Sequence, residues 1–322
     1  MVTAKQKANA SIKSKKRKPG KAARIDNFYL TLLSLPTIML LLIFSYWPMY
    51  GIVLAFKNFK VTDGIWGSPW REPLFGNFEF FFKSQDAWRL VRNTVGLNIL
   101  FIAVTTVCTV GFALLMFEVK KRWEVKTFQT FSIMPSFLSW VIVSYVVYIF
   151  LDPSKGVINS IIVALGGKGI AWYTEPAYWP MILLITKIWQ GVGLGSIIYY
   201  AALMGIDGEL FEAADIDGAS KIQKIKAISI PSLVPIVTVM TLLAIGNIFR
   251  GDFGLFYNVT RNVGALYPTT DVIDTYVFRA LMVDSNIGMS SAVGLFQSVV
   301  CTITLVISNG IVRKIDPDNS LF

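Results

Sequence analysis

The stretch that decides the fold is EAADIDGAS, Glu212 to Ser220, with Pro231 following eleven residues later. It places three carboxylates (Glu212, Asp215, Asp217) and an Asp-Gly break between two of the most apolar stretches of the chain. Locally it spells helix, break, helix. Asp207 is a helix cap ahead of Leu210, Phe211, Glu212, Ala213 and Ala214, because its side chain can accept from an orphan N–H of the first turn. Asp217-Gly218 supplies a turn, since glycine tolerates the left-handed backbone that a sharp exit needs. Ser220 and Gln223 have the spacing of a capping box for a second helix, KIQKIKAIS, which is expected to end or kink at Pro231. Leu210, Ala213 and Ala214 fall near one face of the first helix, with Glu212 and Asp215 on other sides.

The surroundings of this segment are membrane-like. Of the 322 residues, 54% are hydrophobic and 16% charged, and mean hydropathy is +0.57. Soluble domains average about 25% charged residues, so the composition belongs to the membrane class. There is no histidine, which excludes imidazole bases and histidine metal ligands. Cys108 and Cys301 lie far apart inside apolar runs and are expected as buried small hydrophobes. Windows of about 20 apolar residues predict six spans, at about 29–56, 94–117, 128–151, 179–205, 232–249 and 287–312. Pro36 and Pro48 are expected to bend the first.

Charge orients them. Residues 1–26 carry nine Lys or Arg against one acid, Asp26, directly ahead of the first span, which reads as a cytoplasmic anchor rather than a nucleic-acid arm. The stretch is too long and too poor in small residues at its end for a cleaved signal. With the N-terminus inside, the inner segments hold eighteen basic residues and the outer ones eleven, so both termini are expected in the cytoplasm. The domain plan is a basic tail, 1–26, and a six-helix transmembrane domain, 27–322, whose cytoplasmic loop 207–231 contains the acidic stretch. The outer segments are short and rich in aromatics, as in WGSPW (66–70) and AWYTEPAYW (171–179); they suit interfacial structure rather than separate folds.

On this topology the acidic element is a docking plug for another protein. A DNA-binding helix-turn-helix would need a cationic surface, and loop 207–231 has five acids to three bases. The carboxylates do not have the order of an EF-hand loop. A solvated loop without a partner is the remaining plain reading.

The pattern Glu212, Ala213, Ala214, Asp217, Gly218, Ala219, then Ile228, Ile230 and Pro231, resembles the EAA motif of permease subunits of binding-protein-dependent ABC importers. YWPMYGIVLAFKNF (46–59), DVIDTYVFRA (271–280) and the final SLF extend the resemblance to the carbohydrate-uptake class, within it the polysaccharide and lipo-oligosaccharide permeases related to the larger maltose permease. The resemblance implies an all-α membrane protein with six transmembrane helices in the type I importer permease (MetI-like) fold. It implies that Glu212 makes a polar contact with a cytoplasmic ATPase and that Gly218 turns between two coupling helices. The implied partners are a second EAA-bearing permease, forming a heterodimer, two copies of an ABC ATPase, an extracytoplasmic sugar-binding protein, an oligosaccharide and the lipid bilayer, with no nucleic acid. No cofactor is expected on this chain: ATP and Mg would belong to the partner ATPase. Two departures limit the carry-over. The extra N-terminal spans and large periplasmic domain of the maltose permease are not expected here, and Ile225 stands where many relatives have an aromatic.

The chain itself is expected to lack an ATPase site. Its nearest phosphate-loop likeness, GGKG at 166–169, has Gly169 where Ser or Thr is needed. For cargo, sugars need aromatic stacking and a few amide or hydroxyl bonds. Polar residues inside spans are therefore candidates: Asn98, Gln190, Asn247, Gln297 and Asn309. Counting from the motif puts Gln190, Gly191 and Asn247 at the level that holds sugar in the maltose relative. Trp140, Tyr145 and Trp189 are stacking candidates. Interhelical bonding or interface anchoring is the plainer role for each. Gly191, Gly193 and Gly195 suit close helix packing or a flexible point in a pathway. Lys187, the one charge inside a predicted span, is expected to snorkel toward an interface, the other reading being a cavity or partner. A non-sugar importer permease is the nearest alternative. A secondary transporter or a membrane enzyme is disfavoured by the lack of intramembrane carboxylates and nucleophile sets.

Overall fold

The fold is that of a computed structural model, and the structure describes residues 21–321. Residues 1–20 of the expected tail, and Phe322 of the SLF ending, lie outside the described residues. The chain divides into two units, Met1–Ile52 and Val53–Phe322. In the first, helix α1 (Lys21–Leu41) passes through a π turn, Leu42–Tyr46, into a 3-10 helix that runs Trp47–Phe56. Pro36 sits inside α1 without ending it. Leu33, Phe44 and Trp47 are exposed along with most other large side chains here, the surface expected of a helix that is apolar all round.

The second unit is built on α2 (Asp86–Phe117) and α5 (Trp179–Met204), which pack along most of their length. Between them in sequence come α3 (Arg122–Ile133) and α4 (Trp140–Leu151). After α5 come α6 (Gly208–Ile216), α7 (Lys221–Lys224), α8 (Ile230–Ile245), α9 (Ile273–Met282) and α10 (Ile287–Ile315). Among the described residues, five helices are long and apolar enough to cross a membrane, or six if the bent pair α3–α4 counts as one. All of the secondary structure in named elements is helical.

Two prolines shape the spans differently. The third predicted span, 128–151, is not a straight rod: α3 and α4 meet at 99°. Pro135 opens a 3-10 turn, Met134–Phe137, where its missing N–H and the clash of its ring stop the α ladder. Leu138 is extended, and Ser139 then starts a new helix by accepting from the Ile142 N–H at 3.4 Å. At Pro231, where the helix is expected to end or kink, it does not end. Helix continues from Lys221 to Ile245, and a π turn at Ile225–Ser229 widens the ladder one turn before the proline, the usual accommodation for an unpaired carbonyl. The fifth span accordingly begins at α7 and stops at Ile245, short of residue 249.

Three cores hold the unit. Phe101, Val143, Trp179, Leu183, Phe256 and Val272 form the largest, joining α2, α4, α5 and the π helix Gly254–Val259. Leu90, Ile273, Ala280, Met289 and Val293 lock α9 and α10 to the start of α2. Ala113, Tyr199, Leu203 and Leu233 close the other end, beneath α6. The aromatic loops are held by local hydrogen bonds and ring contacts. Lys57 is buried, donates to the Ile65 and Trp66 carbonyls at 2.8 and 2.9 Å, and lies 5.2 Å from the Trp70 ring centroid. Trp172 donates to Asn159 and Trp179 to the Trp172 carbonyl, at 3.0 and 2.7 Å.

Candidate functional site

The acidic segment folds as its residues dictate. Asp207 accepts from the Glu209 N–H at 3.0 Å and starts α6. Gly218 adopts φ +74°, so that Ala219 can donate back to the Ala214 carbonyl at 2.9 Å and Asp217 to Ala213 at 3.0 Å. That satisfies carbonyls a helix end leaves free. Ser220 and Gln223 form the reciprocal capping box, with Ser220 N–H donating to Gln223 Oε1 at 2.7 Å. The corner is braced by side chains. Lys224 Nζ meets Asp215 Oδ1 at 2.6 Å across the turn, Lys221 reaches Glu118 at 3.7 Å, and Phe211 packs on Phe117 at 5.7 Å between ring centroids. The element is thereby tied to the ends of α2 and α8.

What it leaves outward is distinctive. Glu212 is exposed, and among the described residues its carboxylate has no hydrogen-bond or ion-pair partner. Leu210, Ile216 and Ile222 are exposed too, Ile216 by 87%. Ala213, Asp217, Gly218 and Pro231 are exposed, with Ala214 and Ala219 half-buried. A rigid, capped corner that presents one carboxylate among apolar side chains has the chemistry of a docking surface.

The pathway candidates are not brought together. Gln190 and Gly191 lie side by side on α5, and the Gln190 carbonyl accepts from Ser136 Oγ at 2.7 Å, tying α5 to the bend. Gly191 faces open space, whereas a Cβ on Gly193 would overlap the Ser132 carbonyl and one on Gly195 would lie 3.0 Å from Thr109 Cγ2. Close packing is therefore the role of Gly193 and Gly195. Asn247 is exposed and donates to the Leu243 carbonyl one turn back at 3.1 Å. Trp189 lines an apolar groove of about 410 Å³ with Val146, Phe150, Ile158 and Ile185, while Tyr145 lines a separate polar basin with Tyr257 and Arg261. Trp140 covers Gly254.

Three polar span residues are braces. Asn98 donates to the Ile248 and Arg250 carbonyls at 2.8 and 2.9 Å, and Gln297 to the Phe249 carbonyl at 2.9 Å and Asp274 at 3.2 Å. They pair the backbone freed where α8 stops. Asn309 accepts from the Leu321 N–H at 2.7 Å and pins the C-terminal segment. Lys187 corrects the snorkelling expectation: it pairs with Asp252 at 3.2 Å and lies 5.7 Å from the Phe101 ring centroid. Asp252 falls just beyond the fifth span, so inspection of the spans alone missed it.

DVIDTYVFRA proves to be a buried ionic node. The Asp271 carboxylate is fully enclosed, held by Arg279 at 2.7 and 2.8 Å, by Arg89 at 3.3 Å and by Thr275 Oγ1 at 2.9 Å. Arg279 lies over Tyr267, 4.3 Å from its centroid. Asp274, the other acid, accepts from the Gly251 N–H and from Gln297. Burial pushes its carboxyl above the ordinary range, these hydrogen bonds opposing the shift.

Bent and unbent apolar helices around a braced, outward-facing loop define a class: a multi-span membrane protein with a rigid, exposed loop between two of its spans. A family profile described as "Binding-protein-dependent transport system inner membrane component" matches residues 112–317, and the chain belongs to that family. It is 34% identical over 290 residues to Protein LplB of Bacillus subtilis, covering 90% of each chain. It is 32% identical over 302 residues to the polygalacturonan/rhamnogalacturonan transport system permease protein YteP of the same organism, covering 94% of this chain and 93% of that one. Its fold matches a chain in the crystal structure of a bacterial ABC transporter involved in import of the acidic polysaccharide alginate, with TM-score 0.81, 32% identity and coverage of 90% and 97%. A second structure of an alginate transporter, in complex with an alginate pentasaccharide-bound periplasmic protein, matches with TM-score 0.80. The chain is thus an inner-membrane translocation subunit of an ABC importer.

Proposed function

We propose that this permease carries oligosaccharides or polysaccharide fragments into the cell and is driven through the Glu212 corner by a separate ATPase. The observation that carries the reading is the corner itself: an exposed carboxylate and three exposed apolar side chains, Leu210, Ile216 and Ile222, on an element tied by Phe211, Lys221 and Lys224 to two spans. Movement of a partner bound there is transmitted to α2 and α8 as a rigid shift, which is what an inward-to-outward transition needs. The sugar cargo rests on relatives whose names record polygalacturonan, rhamnogalacturonan and alginate transport.

In this reading the chain pairs with a second permease bearing a like corner. Two ATPase copies hold ATP and Mg on the cytoplasmic side, and a sugar-binding protein delivers cargo on the other. Both termini and loop 207–231 are cytoplasmic. Glu212→Lys reverses the charge at the outward-facing position without touching a packed residue. The variant is expected to reach the membrane at normal levels, to lose co-purification with the ATPase, and to abolish uptake. Normal uptake by this variant would sink the coupling role. Transport of a non-sugar solute, with no saccharide moved, would replace the cargo.

A further inference from the structure

A small polar basin lies between α4 and the segment after α8. Its volume is about 190 Å³, and Ser144, Tyr145, Tyr257, Asn258, Arg261 and Asn262 line it, a composition suited to the polar substituents of a sugar. The Arg261 guanidinium is exposed and packs over Tyr148, 4.4 Å from the ring centroid. Among the described residues no carboxylate lies within ion-pair distance of it. The phenols of Tyr145 and Tyr257 make no hydrogen bond there either, and Tyr145 is 59% exposed.

The backbone that presents Arg261 is held in a costly conformation. Arg261 and Asn262 both take left-handed φ, 55° and 51°, which side chains other than glycine seldom adopt in succession. Such strain persists only where surrounding groups over-determine it, and it gathers at working sites. Here the groups are identifiable. Asn262 Oδ1 accepts from Tyr267 Oη at 3.1 Å and from Arg279 Nη1 at 3.3 Å. Asn262 N–H also donates to the Tyr257 carbonyl at 3.1 Å and to Thr260 Oγ1 at 3.2 Å. Arg279 is itself fixed by the enclosed Asp271. The buried node of DVIDTYVFRA thus ends in one exposed product, a guanidinium without a counter-ion set beside two phenols.

We propose that this basin is a subsite for the carboxylate of a uronic-acid residue, making the cargo an acidic oligosaccharide. This rests on the sugar-importer reading. A planar guanidinium grips a carboxylate through two parallel hydrogen bonds. Tyr145 offers a ring face and a hydroxyl to the pyranose, Tyr257, whose ring stacks on Phe253 with centroids 5.0 Å apart, offers its hydroxyl, and Asn258 Oδ1 remains free to accept, its amide donating to the Gly254 carbonyl at 3.0 Å. Arg261 binds the cargo; Asp271, Arg279 and Asn262 position it.

The test uses the assembled importer in proteoliposomes with saturating binding protein, comparing uptake of trigalacturonate with that of its fully methyl-esterified form. Arg261→Gln is expected to lower the ratio of acid to ester uptake rates by about ten-fold, the worth of one charge-assisted contact. Arg261→Lys, which keeps the charge, is expected to recover part of it. An unchanged ratio overturns the subsite, and so does an equal fall for both sugars, the mark of a structural or lipid-anchoring arginine. Wild-type protein that moves the ester or neutral maltotriose but not the acid overturns the subsite and leaves the sugar reading standing. Failure to move any saccharide removes both.

Discussion

At the scale of single residues, two acids of one short segment show how burial and partners divide the labour. Asp271 is enclosed with two guanidiniums, so removing it leaves the largely covered Arg279 without a carboxylate partner among the described residues. Asp271→Ala is expected to cost about 3–5 kcal/mol, read as a fall in thermal stability of the detergent-solubilised protein. Arg89→Ala should cost much less, since that arginine is partly exposed and also meets Asp86 at 3.0 Å. Asp274 differs in sign. Its carboxyl is pushed up by burial, so the folded state binds its proton more readily than the unfolded chain does. Its effect on stability is then most favourable below the ordinary aspartate pKa and worsens as pH rises through the folded value. Asp274→Asn keeps an oxygen for Gly251 and Gln297 and carries no charge. It should melt above wild type at pH 7, with the gap closing toward pH 4; a gap that widens on acidification would contradict the burial argument.

At the scale of elements, glycine positions divide by what lies opposite. Gly193→Leu should prevent α3 from seating on α5, because even a Cβ overlaps the Ser132 carbonyl, whereas Gly191→Leu projects into open space and should leave the fold intact. Yield of monodisperse protein distinguishes them. Gly218→Ala meets no neighbour but must hold φ +74°, at a cost of about 1 kcal/mol. That should loosen the corner without unfolding the spans, seen as faster hydrogen exchange confined to 207–224. These elements also show what sequence can carry. The corner was legible down to its caps, because Asp207, Gly218, Ser220 and Gln223 act on backbone within three or four residues of themselves. The bend at Pro135 was not: hydropathy windows sum polarity and ignore direction, and the signal lay in Pro135 and Ser139 inside an apolar run. Nor could spacing tell Asn98, Gln297 and Asn309 from ligand-binding amides, since their partners lie on other helices or beyond the helix end. Arg261 was hidden for the same reason, its posture depending on the neighbouring Asn262 and on Arg279, seventeen positions beyond that asparagine in sequence.

At the scale of the whole molecule, the proposed function needs the corner on the side of its energy source and the Arg261 basin on the side of its cargo. The charge bias of the sequence assigns loop 207–231 to the cytoplasm and the segments 152–178 and 250–286 to the opposite side. The two assignments are linked, because α5 separates the corner from the former segment and α8 from the latter, each by a single crossing. The bent third span, whose helices α3 and α4 meet at 99°, comes earlier in the chain; counted as one crossing, it lets the end of α2 lie beside the corner, where Lys221 meets Glu118. A cysteine at Ile222, which is 66% exposed on the corner, and one at Lys155, exposed after α4, report on the two sides separately. The native Cys301 is buried and Cys108 half-buried, so they should contribute little background to a membrane-impermeant maleimide. In right-side-out vesicles Lys155→Cys is expected to label and Ile222→Cys to stay protected until the membrane is opened. Labelling of both from one side would mean that α5, the helix between the two positions, does not cross. The proposed docking corner and the segment after α4 would then share a compartment, and the two-sided reading of the bundle would fail.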